Sequence, residues 1–287
     1  MSPDPESLAL SRLEEIVRDS FITEVKALKP GNVSYYAAGH GMTCEDFIAS
    51  AQLVTPVLCN RTLSLGQRIL DSVKITRERV GQNTNLGMLL LFAPIIMAAE
   101  TGERSVAALQ DHLRAIIAHT DKQDASRVFQ AIALANPGGL GKNVRHDVTD
   151  SPDCGLLEAM AEVRDRDTIA RQYLTEFHEV FHTGLPTIKD YTSRWNSVEW
   201  AATACFLEFL STLPDSHIGR KYGAREAGRI TNKAATVAGI FTSIDRPELA
   251  LEALLEFDRE LKSIHINPGT SADLTAASIL VYKLINQ

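Results

Sequence analysis

The 287-residue sequence predicts an all-α protein, folded as a single compact multi-helix bundle over residues 1–287. Three observations lead to this prediction. Apolar residues recur at intervals of three and four along most of the chain, which is the spacing of one helix face. Capping signals and breakers separate these stretches. No stretch alternates between apolar and polar residues as a half-buried strand does, and no linker is long or polar enough to separate domains.

Caps and breakers set the predicted helix boundaries. The first helix stops at Lys29-Pro30-Gly31, because proline and glycine end helices. Capping-box patterns begin at Thr43 and Thr120, where Asp or Gln follows the threonine three positions later. Breaks are predicted at 184–186 and at 214–223, where glycine and proline interrupt the periodicity. The resulting helices span 6–28, 43 onward, 63–73, 86–99, 105–119, 120 onward, 155–163, 168–182, 193–213, 224–242, 247–264 and 271–285.

The polar turn at 81–87, Gly-Gln-Asn-Thr-Asn-Leu-Gly, is the most informative stretch. It follows a predicted charged turn at 74–79 and leads into an apolar helix that is expected to be buried on nearly all sides. Buried amides and helix-start N–H groups need partners, and such N–H groups suit an anion such as phosphate. The alternative is that Asn83 or Thr84 is an ordinary N-cap and that Gly87 allows close helix packing.

Composition narrows the classes of function. Hydrophobic residues make up 45% of the chain and charged residues 23%, as in ordinary globular proteins. The net charge of −7 argues against nucleic acid or an anionic membrane as the main partner, because both need a basic face. The four cysteines form no CxxC pair, which indicates reduced cytosolic thiols rather than a disulfide framework or a zinc cluster.

Location and assembly follow less directly from the sequence. The acidic N-terminal residues contain no apolar signal-peptide core, and the longest apolar run is too short to span a bilayer. We therefore expect a soluble, cytoplasmic protein that does not bind membranes. The oligomeric state stays open, with a homo-oligomer as one alternative.

Five breaks between helices combine glycine with lysine, arginine or asparagine. Glycine lets the backbone approach a ligand, the basic residues supply charge, and the following helix start supplies N–H donors. We therefore expect one site for a polyphosphate-like ligand, built from interhelical loops and helix N-termini. Each break taken alone is equally consistent with an ordinary interhelical turn. The third break lacks Walker A spacing. The breaks lie at 29–32, 82–85, 138–142, 219–223 and 267–273.

Three groups of residues resemble, in chain order, the motifs of the triphosphoribosyl-dephospho-CoA synthase family. They are Glu24-x4-Lys29-Pro-Gly31 with His40-x-Met42, Asn83-Thr-Asn-x-Gly87, and Pro268-Gly-x-Ser-Ala-Asp-Leu274. The resemblance implies a helical enzyme that displaces adenine from C1′ of the ATP ribose. It implies transfer of the 5′-triphosphoribosyl unit, with an α linkage, to the 2′-hydroxyl of dephospho-CoA. The product of this family is the precursor of the prosthetic group of citrate lyase and malonate decarboxylase.

The sequence also departs from this family's pattern. His40-Gly-Met42 lacks the acidic residue of the family's His-x-Asp-Met. The segments 136–147 and 217–223 are similar to a divergent branch, whose members are associated with tetrahydromethanopterin-type one-carbon cofactors. That cofactor also contains an α-ribosyl phosphate linkage. The acceptor therefore stays open between dephospho-CoA and a one-carbon or pterin cofactor precursor.

The chemistry of glycosyl transfer selects the candidate site residues. Breaking an N-glycosidic bond builds positive charge on the ribose, so the site needs Mg²⁺ and basic groups for the phosphates, and carboxylates and a proton-exchanging group nearby. The catalytic candidates are Glu24, His40 and Asp147, and the metal candidates are Asp273 and Asp147. The substrate- and phosphate-binding candidates are Lys29, Gly31, Asn83, Thr84, Asn85, Gly139, Gly141, Lys142, Arg220, Lys221, Gly269 and Ser271.

The segment 136–152 is the longest without periodicity, and we expect it to close over the phosphates with Lys142 as its charged contact. Two other functions compete with ribosyl transfer. One is a non-catalytic helical nucleotide-binding protein. The other is a zinc hydrolase that uses His178, Glu179 and His182, which match H-E-x-x-H on a predicted helix.

Overall fold

A computed structural model of the protein describes residues 5–82, 84–136 and 152–286. These residues form fourteen α-helices, and the only β-type pairings among them are two isolated bridges, so the predicted all-α class is confirmed. A π-helical turn, Val180–Gly184, precedes the ninth helix, and a 3₁₀ turn, Pro247–Ala250, precedes the thirteenth. The helices are α1 (Pro5–Lys26), α2 (Cys44–Leu58), α3 (Leu65–Val80), α4 (Leu86–Ala99), α5 (Val106–Ala118), α6 (Lys122–Ala135), α7 (Leu156–Val163), α8 (Thr168–Leu174), α9 (Leu185–Trp195), α10 (Val198–Thr212), α11 (Ser216–Tyr222), α12 (Ala224–Ser243), α13 (Leu251–Ser263) and α14 (Gly269–Ile285).

Helices α4 and α14 form the centre of the larger apolar core. Most residues of both helices are buried, and α14 packs against α1, α4 and α10. A smaller apolar core lies among α10, α12 and α13. Helix α10 contributes to both cores, with Phe209 in the larger one and Phe206 in the smaller one. Because α10 is apolar on opposite faces, it joins the two cores.

The charged segment 74–79 was predicted as a turn, and this prediction is wrong. Helix α3 continues through it to Val80, because Val73 and Thr76 stay buried while the charged side chains point to solvent. Gly81 ends the helix with a left-handed backbone (φ 78°), which glycine adopts at little cost. The predicted cap of α2 is confirmed, since the Thr43 N–H donates to Asp46 Oδ2 at 2.8 Å.

The predicted break at 184–186 is wrong, and the predicted break at 214–223 is confirmed only at its two ends, 214–215 and 223. Pro186 lies in the first turn of α9, where a missing N–H leaves no intrahelical bond unmade, and the helix continues to Trp195. The chain breaks instead at two other places: after Leu174, inside the predicted helix 168–182, where Glu176 and Phe177 have left-handed backbones, and at Asn196. Within 214–223, residues 216–222 form α11, because Asp215 caps their first N–H groups. No helix in the described part of the chain is long and apolar enough to cross a bilayer.

Candidate active site

A cavity of about 160 Å³ lies where α4 and α14 begin, beside α11. Among the predicted residues, the structure brings together Glu24, Thr84, Asn85, Arg220, Gly269 and Asp273 in its lining. Four further polar residues that were not predicted also line it, namely Asn32, Asp167, His217 and Asn267. A larger cavity of about 210 Å³, between the start of α1 and the loop after α4, is lined by none of the predicted residues. The smaller cavity is therefore the candidate site.

Asp273 lies against the backbone of Gly87. A Cβ atom added to Gly87 would be 1.9 Å from Asp273 Oδ2, so only glycine leaves room for the carboxylate. The last helix was predicted to begin at residue 271, but α14 begins at Gly269, so Asp273 lies in its second turn. Burial, together with the nearby carboxylates of Glu24 and Asp215, raises the pKa of Asp273 well above its ordinary value.

Glu24 and Lys29 form a buried ion pair next to the cavity. Lys29 Nζ lies 3.1 Å from Glu24 Oε1 and also donates to the backbone carbonyl oxygens of Glu24 (2.6 Å) and Val33 (3.1 Å). The ammonium that was predicted to bind phosphate therefore holds the turn after α1 instead. Neither Glu24 oxygen accepts a well-formed hydrogen bond from a described residue. Burial raises the pKa of Glu24 and lowers the pKa of Lys29.

Asp215 occupies the helix start where a phosphate was expected. Its Oδ2 accepts hydrogen bonds from the backbone N–H and the hydroxyl of Ser271, both at 2.8 Å. Its Oδ1 accepts from the backbone N–H groups of His217 and Ile218 at 2.9 and 3.1 Å. The predicted donors of Ser271 are thus already used, and one buried carboxylate ties α11 to α14.

His217 is a cavity residue that the sequence analysis missed. Its Nε2 is buried and has no hydrogen-bond partner among the described residues. A Cβ at Gly269 would be 2.7 Å from His217 Nδ1, so this glycine makes room for the ring. Burial, and then the charges of Arg220 and Lys221, lower the pKa of His217 to about 4, which leaves the imidazole neutral at neutral pH. The Asp215-Ser216-His217 cap was the available signal, but the segment was interpreted as a loop.

Arg220 lies at the edge of the cavity with its guanidinium fixed on one side. Its Nη1 donates to Asp167 Oδ2 at 2.5 Å, while its Nε is buried without a partner in the described structure. Asp167 is itself held, because its Oδ1 caps α8 by accepting the N–H groups of Ile169 and Ala170 at 2.9 and 3.1 Å. Lys221 is exposed, beside the ring of Tyr222, and is not a lining residue.

The turn before α4 contributes Thr84 and Asn85 to the cavity wall. Asn85 occupies the N-cap position, yet its side chain makes no capping hydrogen bond and approaches only Thr76 Oγ1, at 3.5 Å. The Thr84 hydroxyl pairs with the Ser50 hydroxyl at 2.6 Å. Neither side chain therefore caps α4 in the ordinary way. Across the cavity, Asn32 Nδ2 donates to Asn267 Oδ1 at 2.7 Å and joins two of the predicted breaks.

Gly31 and His40 are predicted residues that lie away from the cavity lining. Gly31 has a left-handed backbone (φ 83°), and its N–H donates to Asp258 Oδ1 at 2.8 Å. His40 Nε2 donates to the Gly31 carbonyl oxygen at 2.8 Å, so this nitrogen carries the proton and cannot accept another. Five predicted residues lie outside the described residues: Asn83, Gly139, Gly141, Lys142 and Asp147. The predicted closing segment, apart from its ends, lies outside them as well.

The H-E-x-x-H motif has no zincin-like geometry. The rings of His178 and His182 lie 4.7 Å apart between centroids, but the second histidine belongs to the π-helical turn. Glu179 is bound by Arg171 Nη2 (2.8 Å) and Gln172 Nε2 (2.6 Å). Among the described residues, no group of three or more His, Cys, Asp or Glu side chains is arranged to hold a metal ion.

Two comparisons with known proteins found a match to this chain. A crystal structure of a protein from Archaeoglobus fulgidus, assigned as a triphosphoribosyl-dephospho-CoA synthase, matches with a TM-score of 0.64 and 25% sequence identity. The match covers 83% of this chain and 99% of that chain. No curated protein matches the sequence. A family model described as ATP:dephospho-CoA triphosphoribosyl transferase matches residues 10–287, which include all the turns around the cavity. The chain therefore belongs to the ATP:dephospho-CoA triphosphoribosyl transferase family.

Proposed function

We propose that this transferase displaces adenine from ATP and forms an α-ribosyl linkage between the 5′-triphosphoribosyl unit and the 2′-hydroxyl of dephospho-CoA. The observation that carries the proposal is the convergence of Asp273, Glu24 and Arg220 on one cavity at the start of the buried helix α4. These groups come from three distant parts of the chain, and each belongs to a different predicted break or motif.

The charge of the cavity supports a role for Mg²⁺. The charged side chains in its described lining are three carboxylates, of Glu24, Asp167 and Asp273, and one guanidinium, of Arg220. Such a wall repels a triphosphate unless a cation lies between them. Two of the carboxylates fit this group, because Glu24 Oε2 has no hydrogen-bond partner among the described residues, Lys29 being paired with Oε1, and because Asp273 is crowded by like charges. Carboxylate and phosphate oxygens are the ligands that Mg²⁺ prefers.

In this proposal Asp273 and Glu24 hold Mg²⁺, which neutralises charge on the triphosphate when it is bound. Arg220, oriented by Asp167, uses its remaining donors for phosphate oxygens. Asn85 and Thr84 hydrogen-bond the nucleotide at the start of α4, whose dipole favours an anion. Lys142 and Asp147 stay predictions as further phosphate and metal contacts.

The proposal also specifies the acceptor of the triphosphoribosyl unit. Dephospho-CoA is the acceptor that the family description names. A one-carbon or pterin cofactor precursor stays the alternative on the sequence resemblance alone. The test incubates the purified protein with ATP, Mg²⁺ and each acceptor of a panel that contains both compounds. Adenine release, and a triphosphoribosyl product detected by mass spectrometry, are expected with only one of these acceptors.

Asp273→Asn serves as the matched inactive variant in this assay, since it keeps the size of the side chain and removes its charge. ATP binding without adenine release in the presence of every acceptor would contradict the proposal and favour the non-catalytic nucleotide-binding function.

A further inference from the structure

The proposed transfer needs a group that takes the proton of the attacking hydroxyl. Few side chains of the described cavity wall can do this. Arg220 offers hydrogen-bond donors and no acceptor, and Asp167 has both oxygens engaged, one by Arg220 and one by the start of α8. Glu24 and Asp273 face the cation in the function proposed above. His40, one of the predicted catalytic residues, lies off the cavity with its Nε2 bound to Gly31.

We infer that His217 is the general base of the transfer and accepts the proton of the acceptor hydroxyl on Nε2. The inference rests on the proposed function and deepens it by assigning a catalytic residue that touches the acceptor. The geometry supports it, because Nε2 is the one imidazole nitrogen on the described cavity wall that is buried without a partner.

The surroundings of His217 hold the ring in place. Its backbone N–H donates to Asp215 Oδ1 at 2.9 Å and to Thr270 Oγ1 at 3.1 Å, which fixes the residue between α11 and α14. The ring packs against Gly269, where any side chain would displace it. A base that is held in this way needs little reorganisation to reach the acceptor.

The charges around His217 keep it in the form that a base requires. Arg220 and Lys221 on α11, and His40 on the loop before α2, add to burial in lowering the pKa of His217, so the imidazole is neutral when the site is empty. A bound triphosphate adds negative charge near the same cations. The pKa of His217 then rises, and the base becomes stronger when the substrate is present.

The proposed transfer conserves protons and electron pairs. The acceptor O–H bond breaks, its proton passes to His217 Nε2, and the oxygen forms the new bond to ribose C1′. The C1′–N9 bond breaks, and its electron pair leaves with adenine, which takes one proton from water. The imidazolium returns its proton to solvent, so the sum of the reaction moves the hydroxyl proton to adenine.

The test compares wild type, His217→Gln and the control His119→Gln, an exposed histidine after α5. We expect kcat of His217→Gln to fall about 10²- to 10⁴-fold, the usual contribution of a general base. KM for ATP and dephospho-CoA, and ATP affinity by calorimetry, should stay within about threefold, as fits a group that acts on the acceptor in the transition state. The pH profile of kcat should lose its rising acidic limb, and His119→Gln should match the wild type in all measurements.

Two outcomes would overturn the assignment of His217 as the general base while leaving the proposed function intact. One is a His217→Gln enzyme with kcat within about threefold of an active wild type. The other is a fall in kcat that tracks an equal loss of ATP affinity, with the acidic limb retained. If His217→Gln does not fold, His217→Ala with added imidazole replaces it. If no imidazole in a series of different pKa restores the kcat of this variant, His217 is not the general base. A wild type that releases no adenine with dephospho-CoA rejects the proposed function, and the inference falls with it.

Discussion

Replacing Gly87 by alanine tests whether close packing of Asp273 on α4 determines activity. The new Cβ would lie 1.9 Å from Asp273 Oδ2, 2.4 Å from its Cγ and 2.8 Å from Ile169 Cδ1. Ordinary van der Waals contact begins at 3.4 Å, so the carboxylate must move by about 1.5 Å, the difference between 3.4 and 1.9 Å. The Ile169 methyl group can rotate away, whereas Asp273 is fixed on the buried helix α14.

We expect this displacement to lower kcat for adenine release about 100-fold, since a shift of about 1 Å in a reacting group has that effect. The free energy of unfolding should change only modestly. Overpacking costs about 1–3 kcal/mol, and alanine regains about 1 kcal/mol of helix propensity. The net loss of about 0–2 kcal/mol corresponds to a fall in Tm of no more than about 8 °C. Thermal unfolding and the adenine-release assay measure the two quantities.

Gly228→Ala is the matched control, because a Cβ at this position in α12 meets no other atom within 4 Å. It should keep full activity and gain about 0.5–1 kcal/mol. A double-mutant cycle locates the clash, since Gly87→Ala should cost little stability when Asp273 is already alanine. Wild-type kcat in Gly87→Ala, or an equal stability loss in both backgrounds, would refute the reasoning.

Three further predictions concern the carboxylates and the imidazole of the site. Asp273→Asn should fold normally, bind Mg²⁺–ATP more weakly and lose most turnover in calorimetric and adenine-release assays; unchanged turnover at limiting Mg²⁺ would reduce Asp273 to a structural residue. Asp215→Ala should lower the free energy of unfolding by about 3–5 kcal/mol, because it leaves buried donors of two helices unpaired, while Ser271→Ala should cost about 1 kcal/mol and leave ATP affinity unchanged. His217 has its pKa lowered from 6.5 to about 4 on folding, so its contribution to stability is present above pH 6.5 and is lost as the pH falls to 4, by up to about 3 kcal/mol in denaturant titrations. His217→Gln should remove this slope, and an identical slope in the variant would contradict the assigned protonation.

The sequence by itself determined the helical class and most helix boundaries. These depend on apolar spacing and on caps such as Thr43–Asp46, whose partners lie within one turn of each other. Where the sequence misplaced a helix boundary, the local signal was compatible with either a helix end or a helix start. Pro186 both ends helices and begins them, and only its packed position in α9 decided between the two.

The sequence also indicated the kind of chemistry, but only the tertiary structure decided which groups are available for it. Lys29 and Ser271 had the right residue types, yet the first is held by carbonyl oxygens and Glu24 and the second by Asp215, 56 positions away. The local signal at His217, the Asp215 cap, indicated only a helix start, and His217 became a candidate because Gly269 leaves room for its ring and burial keeps it neutral. A side chain binds a ligand only with donors and acceptors that the fold leaves unpaired. That condition depends on contacts between distant parts of the chain, which local patterns in the sequence do not record.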